Sequence, residues 1–150
     1  MCIRDRSRVC ISQSFRNGLA LFKMWQFLFN FLKMKNIKVL FGLGSFNGCD
    51  INLHKDSILS IFNSYVSPFT KAIRSVQNNY ICLLERTSND EVQGVKNIPD
   101  LMKTYLRFGC SVAPDYFVDN DFNTIDLFFI LMLDEGSEKW NKYLSKDLCI

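Results

Sequence analysis

The hydrophobic pattern divides the chain into short β-like runs and one long stretch at helical spacing. "SRVCI" suits a short buried strand, Arg8–Ile11. The turn-forming "SQSFRNG" breaks it, and "LALFKMWQFLFNFLKMK" follows as a helix from Leu19 to Lys35. Its polar residues Lys23, Gln26, Asn30 and Lys33 share one narrow face, so burial on most other sides is expected. "IKVLFGLGS" is apolar almost throughout, as in a strand in the middle of a sheet covered on both faces. Strand, turn, helix, strand is a βαβ unit, with a right-handed crossover expected.

Further along, Asp50 or Asn52 can cap a second helix whose apolar face carries Leu53, Ile58, Ile61, Phe62 and Tyr65, with Pro68 just beyond it. A strand is expected around Tyr80 to Leu84, followed by a polar loop. Asn97 and Pro99 open a third helix and Gly109 closes it. "SVAPDYFV", the turn "DNDFNT" and "IDLFFILML" make a hairpin, and "SEKWNKYLSK" a short polar helix. No internal repeat or low-complexity linker interrupts the series. The pattern as a whole predicts an α/β fold.

Composition narrows the function classes. The 150 residues are 48% hydrophobic and 22% charged, as in one globular domain. A formal charge of +3 with scattered Lys and Arg falls short of a nucleic-acid-binding pattern. Six cysteines include no Cys-x-x-Cys pair and there is one histidine, which argues against a zinc site. Cys82 and Cys110 sit in apolar runs and read as small buried hydrophobes. No secretory signal opens the chain, and a reducing, cytoplasmic setting is expected. The Leu19–Lys35 stretch is interrupted by polar residues and falls short of the roughly 20 apolar residues of a membrane span. It reads as a core helix, with contact at a membrane surface the alternative.

Four stretches, "SRVCISQSFRNG", "VLFGLGSFNGCD", "IPDLMKTYLRFGCSV" and "DNDFNTIDLFFIL", resemble the GNAT acyltransferase superfamily. The similarity is to the branch that holds the ornithine lipid N-acyltransferases and the hemolysin-like acyltransferases. It implies a mixed central sheet flanked by helices, of which this chain carries the C-terminal portion, the "SR" strand being the fourth of the fold. Residues 7–136 would be that part and residues 137–150 a helical tail. The opening "MCIRDR" reads back into codons as the end of a transposase sequencing adapter, so residues 1–6 are expected to be a library artefact. They carry two Arg and one Asp, and without them the formal charge falls from +3 to +2.

The resemblance implies the movement of a fatty or 3-hydroxy-fatty acyl group from an acyl carrier protein thioester to the amino group of an amino acid, ornithine foremost. Acyl-CoA is a second donor of the same chemistry. The phosphopantetheine arm would lie between the parted strands Arg8–Ile11 and Ile37–Gly42. A backbone N–H near Val9, Cys10 or Ile11 would polarise the thioester carbonyl, an interaction contributing roughly 3 kcal/mol. Arg16, Asn17 and Gly18 precede a helix N-terminus, where N–H groups and the dipole favour phosphate. Against the superfamily pattern Gln/Arg-x-x-Gly-x-Gly/Ala, Gly18 and Ala20 fit. Phe15 takes the first position and Arg16 stands one place late, a departure that favours a carrier protein presenting a single phosphate. An ordinary turn at a helix start is the plainer reading of the same residues.

Tyr105, four residues before Gly109, would be the general acid that protonates the departing thiolate, or else a half-buried packing tyrosine. Asp121, Asn123 and Asp126 would recognise a cationic amino acid, or Asp121 and Asn123 would simply build the turn. Ser45 and Asn47 are expected to face the cleft. Cys49 and His54 invite a nucleophile dyad, but their spacing favours a surface histidine in a first helical turn. The product would be a lyso-lipid, and the apolar helices would help the enzyme meet the membrane that receives it. The competing functions are an acyl-homoserine-lactone-type autoinducer synthase and a non-catalytic, membrane-associated protein that keeps the fold.

Overall fold

The computed structural model describes residues 12–15, 18–76 and 97–133. The expected strands Arg8–Ile11 and Tyr80–Leu84, and the tail helix, lie outside these residues. The chain divides into two compact units, residues 1–37 with 138–150, and residues 38–137.

In the first unit a 3-10 turn, Gln13–Phe15, precedes α1, Leu19–Met34. Trp25, Gln26, Phe29 and Leu32 are its buried residues, and the rings of Trp25 and Phe29 lie 6.3 Å apart. The expectation of burial on most sides is corrected by Leu19, Phe27 and Met34, which are exposed. The buried stripe is narrower than the apolar surface, and Gln26, at the margin of the polar face beside Phe29, is buried with it. The helix ends in a Schellman turn. Asn36 takes φ 50°, its N–H reaches the Lys33 carbonyl, and the Ile37 N–H reaches that of Leu32.

Among its described residues the second unit is a three-stranded antiparallel sheet with helices on one face. β1 is Val39–Asn47, α2 Ile51–Tyr65, α3 Asp100–Arg107, β2 Ser111–Asp119 and β3 Thr124–Met132. Strand order is β1-β3-β2, so β3 is central and β1 has no second neighbour among the described residues. β1 and β3 pair without interruption from Val39 opposite Met132 to Asn47 opposite Thr124. β2 carries a bulge between Val112 and Tyr116, where Pro114 can sit without forfeiting a ladder hydrogen bond.

Period-two alternation then sorts the side chains. Gly44 and Phe46 of β1 share a face with Ile125, Leu127, Phe129 and Leu131 of β3, all buried. On this face α2 meets β2 and α3 meets β1, with His54 of α2 against Phe46 and Tyr105 of α3 edge-on to Phe129. Asp50 caps α2 by accepting from the Asn52 N–H, so Asn52 lies inside the first turn instead of capping it. Ile58, Ile61 and Phe62 are buried as expected, whereas Leu53 and Tyr65 are exposed, because they lie at the ends of a stripe that is covered only in its middle. Pro99 stands at the head of α3, and Gly109, at φ 88°, follows its end.

The other face of β1 departs from the expectation of a strand covered on both sides. Val39, Phe41, Leu43, Ser45 and Asn47 all point to it and all are exposed, Phe41 at 54% and Leu43 at 57%. Their apolar character is partly satisfied by a tilted ring contact of Phe41 with Phe128 of β3, centroids 5.6 Å apart. Among the described residues β1 is an edge strand, and an edge has one flank to spare.

Gly44 is where α3 comes closest to the sheet. A Cβ there would fall 2.6 Å from Phe129 Cε2 and 3.0 Å from Met102 Cγ, and both of those side chains are fully buried. Gly44→Ala should therefore destabilise the fold by about 1–3 kcal/mol, the range for overpacked cores. Urea unfolding of the two proteins measures it; equal midpoints would mean that α3 is free to lift.

Candidate functional site

The register of β1 on β3 decides which candidate residues meet. Ser45 stands directly opposite Asp126, and Asn47 directly opposite Thr124, all on the face away from the helices. Phe117 of β2 flanks Asp126 on the other side. Ser45 and Asn47 are exposed, while Asp126 is only 8% exposed although it lies on the same face. Its Oδ1 accepts no hydrogen bond among the described residues. Three of the five expected substrate-binding residues thus form one polar end to a face that is apolar at Leu43, Phe41 and Val39.

Asp121 and Asn123 lie beyond that end, exposed in the β2–β3 turn. The turn is built by a residue the sequence reading passed over. Asp119 Oδ1 accepts from the Asp121 N–H at 3.0 Å and the Phe122 N–H at 2.9 Å, an Asx turn. Asn123 adopts φ 53°, and its carbonyl accepts from the Gly48 N–H at 2.8 Å, tying the end of β1 to the turn. The position of Asp119 just before "NDFNT" is the signal that could have found it. Asp115 gave no such signal: buried after Pro114, it accepts from the Ser75 and Tyr116 N–H groups, each at 2.8 Å.

Tyr105 is on the opposite face, half-buried on α3 with its ring 5.4 Å from that of Phe129. Burial raises its pKa above the ordinary tyrosine value, and the neighbouring Cys110 adds to the rise. Cys110 is itself buried, as expected for a small hydrophobe, and burial pushes its thiol up to about 12. Both groups are kept as proton holders at neutral pH.

Gly18 takes φ 82° at the start of α1, where no side chain caps the helix. A Cβ on Gly18 would meet nothing within 4 Å, so its left-handed backbone, rather than any close approach within the chain, is what calls for glycine. Arg16 and Asn17, and the strand residues Val9, Cys10 and Ile11, lie outside the described residues. Cys49 and His54 are separately engaged: the thiol donates to the Asp119 carbonyl at 3.4 Å and the imidazole Nε2 to the Asn47 carbonyl at 3.0 Å. His54 is in the first turn of α2 and half-buried. No helix among the described residues is long and apolar enough to cross a membrane.

The chain is similar over nearly its whole length to three curated proteins, each an L-ornithine N(alpha)-acyltransferase. It is 27% identical over 142 residues to that of Rhodobacter capsulatus, covering 95% of this chain and 55% of the relative. It is 23% identical over 141 residues to that of Brucella abortus, covering 93% and 50%. To that of Rhizobium meliloti it is 22% identical over 145 residues, covering 95% and 49%. The chain therefore spans about half the length of the curated relatives it matches. No family model matches it. No solved structure does either.

The buried Cys110 thiol predicts a pH dependence with a definite sign. A thiol held protonated by burial contributes stability that is fully present below its unfolded value near 9 and is lost as pH rises toward about 12. Stability should accordingly fall between these limits, and a Cys110→Ala variant should lose less of it. Native alkylation at neutral pH should label the part-exposed Cys49 well before Cys110, read by peptide mass spectrometry. Equal labelling would show that the pocket around Cys110 opens readily.

Proposed function

We propose that the chain is part of an N-acyltransferase that moves a fatty or 3-hydroxy-fatty acyl group from an acyl carrier protein thioester to the α-amino group of ornithine. The similarity over about 95% of the chain to three L-ornithine N(alpha)-acyltransferases carries this reading. The fold belonging to it is the C-terminal portion of a GNAT sheet, and the observed order of helix, strand, helices and hairpin is compatible with that assignment.

The chemistry follows from the groups available. The neutral amine nitrogen attacks the thioester carbonyl carbon, the C–N bond forms and the C–S bond breaks. The amine gives up a proton to water, and the departing sulfur takes one from the Tyr105 phenol, which is then reprotonated from solvent. Tyr105 carries its proton at working pH, as a donor to the thiolate must. On this reading the phosphopantetheine arm lies along the outer edge of β1, and the resemblance assigns to Val9, Cys10 and Ile11 the N–H groups that would polarise the thioester carbonyl. The resemblance assigns the donor's phosphate to Arg16, Asn17 and Gly18, ahead of the α1 N-terminus. The acceptor occupies the polar end of the outward face, near Ser45, Asn47 and Asp126, with Asp121 and Asn123 at the turn beyond.

The outward face of β1 is apolar at Val39, Phe41 and Leu43 and polar at Ser45 and Asn47, a gradient that suits a hydrocarbon donor and a polar acceptor. The lyso-lipid product belongs in a bilayer. The exposed Leu19, Phe27 and Met34 of α1 would serve a peripheral contact with the inner membrane.

Incubation of the full-length protein with acyl carrier protein thioesters and ornithine should release free thiol and yield an N-acylated ornithine, seen by mass spectrometry. Absence of thiol release with every amine would sink the reading in favour of a non-catalytic protein. Tyr105→Phe should lower kcat by roughly 100-fold or more with little change in KM, the scale of general-acid catalysis. Unchanged turnover would remove Tyr105 from the mechanism.

A further inference from the structure

Two buried carboxyl groups lie in the hairpin, and they are treated differently by their surroundings. Asp115 has both oxygens satisfied by backbone N–H donors, one of them from the Ser75 loop. Asp126, in the central strand and 8% exposed, has an Oδ1 that accepts nothing among the described residues. Leaving a buried carboxyl oxygen without a donor is unfavourable, and among the described residues no cap, turn or ion pair of Asp126 recovers that loss. A group of this kind in a folded protein calls for an external donor.

The neighbours say what kind of donor fits. On its own face Asp126 has the Ser45 hydroxyl opposite, Thr124 and Asn47 toward the turn, and Phe128 and Leu43 on the other side. A cationic N–H donor on a short apolar stem matches this surrounding. An α-amine about to be acylated does not, because a carboxylate beside it would hold it protonated and unable to attack. The group that must stay charged throughout is the side-chain ammonium.

Resting on the ornithine reading, we propose that Asp126 Oδ1 receives the side-chain ammonium of ornithine, making Asp126 a specificity-determining residue for the acceptor. The same carbon skeleton without its terminal amine leaves the carboxyl unpaired and is rejected for that reason. Asp121, exposed in the turn, is not the ammonium receptor.

Calorimetric titration of the full-length protein with ornithine and with norvaline, its counterpart lacking the terminal amine, tests this. The wild type should prefer ornithine, and in Asp126→Asn that preference should collapse through a roughly 10- to 100-fold loss of ornithine affinity, the scale of a charged hydrogen bond. A variant that keeps the preference, or a wild type that shows none, would overturn the proposal. Asp126→Asn keeps the shape and removes only the charge of a buried group whose Oδ1 has no partner among the described residues, so the thermal midpoint of the ligand-free variant should stay at or above that of wild type; a purely structural aspartate would lower it. Should Asp126→Asn not fold, wild-type protein labelled with 13C at its aspartate carboxyls decides instead. Ornithine, but not norvaline, should then shift a buried carboxyl resonance, and no shift counts against the inference. Binding and thiol release are separate readouts. Selective binding without acyl transfer leaves the Asp126 site standing while the enzymatic reading fails.

Discussion

The uninterrupted pairing of β1 with β3 is the constraint on which the rest of the second unit depends. Nine residues of β1 face nine of β3 in one register, from Val39 opposite Met132 to Asn47 opposite Thr124. Because side chains alternate, a slip of one residue would turn Phe46 and the Gly44 gap to the outside and bring Ser45 and Leu43 under the helices. The fit of α3 over Gly44 opposes such a slip, since any side chain at that point would strike Phe129 or Met102. The link from Asn123 to Gly48 closes the far end of the ladder. Register, close approach and turn therefore specify one another, and the polar end of the outward face inherits its geometry from all three.

That geometry separates three aspartates that composition treats alike. Asp119 spends an oxygen on two turn N–H groups, Asp115 spends both oxygens on the backbone, and Asp126 keeps one unspent. The first two are structural uses of a carboxyl, Asp119 holding a turn through one oxygen and Asp115 a bulge through both. Of the two buried carboxyls, Asp126 keeps an oxygen without a partner among the described residues, and it does so from the central strand of the sheet, the kind of element on which a recognition group is best held.

Much of the element plan was legible in the sequence, for reasons that particular residues make plain. The length and apolar density of Leu19 to Lys35 leave little alternative to a helix, and it ends within a residue of that reading at Met34. The hairpin was announced by the cluster of turn residues between two apolar runs, and α3 by Pro99 and Gly109. What could not be read was exposure. "VLFGLGS" looks the same whether one face is covered or two, because an unbroken apolar run carries no alternation to say which. Likewise Asp121, Asn123 and Asp126 are near neighbours in sequence, and only the strand register shows that the first two are in a turn and the third is buried in the sheet. Asp115 and its tie to Ser75 join positions 40 residues apart, beyond the reach of local pattern.

Tyr105 and Asp126 lie on opposite faces of the same sheet, which sets a condition on the proposed reaction. A thioester on the outward face alone would have no path to the phenol, and one under the helices would be out of reach of an acceptor held at Asp126. The two faces meet at the free flank of β1, the strand that α3 packs against and that carries Ser45 opposite Asp126. In the proposed reaction an acyl-bearing arm running along that flank would present its sulfur toward the side of α3 and its carbonyl carbon toward the acceptor. The proposed reaction therefore depends on the flank of β1 that has no neighbour among the described residues: a strand paired there along its whole length would keep the acid and the acceptor apart.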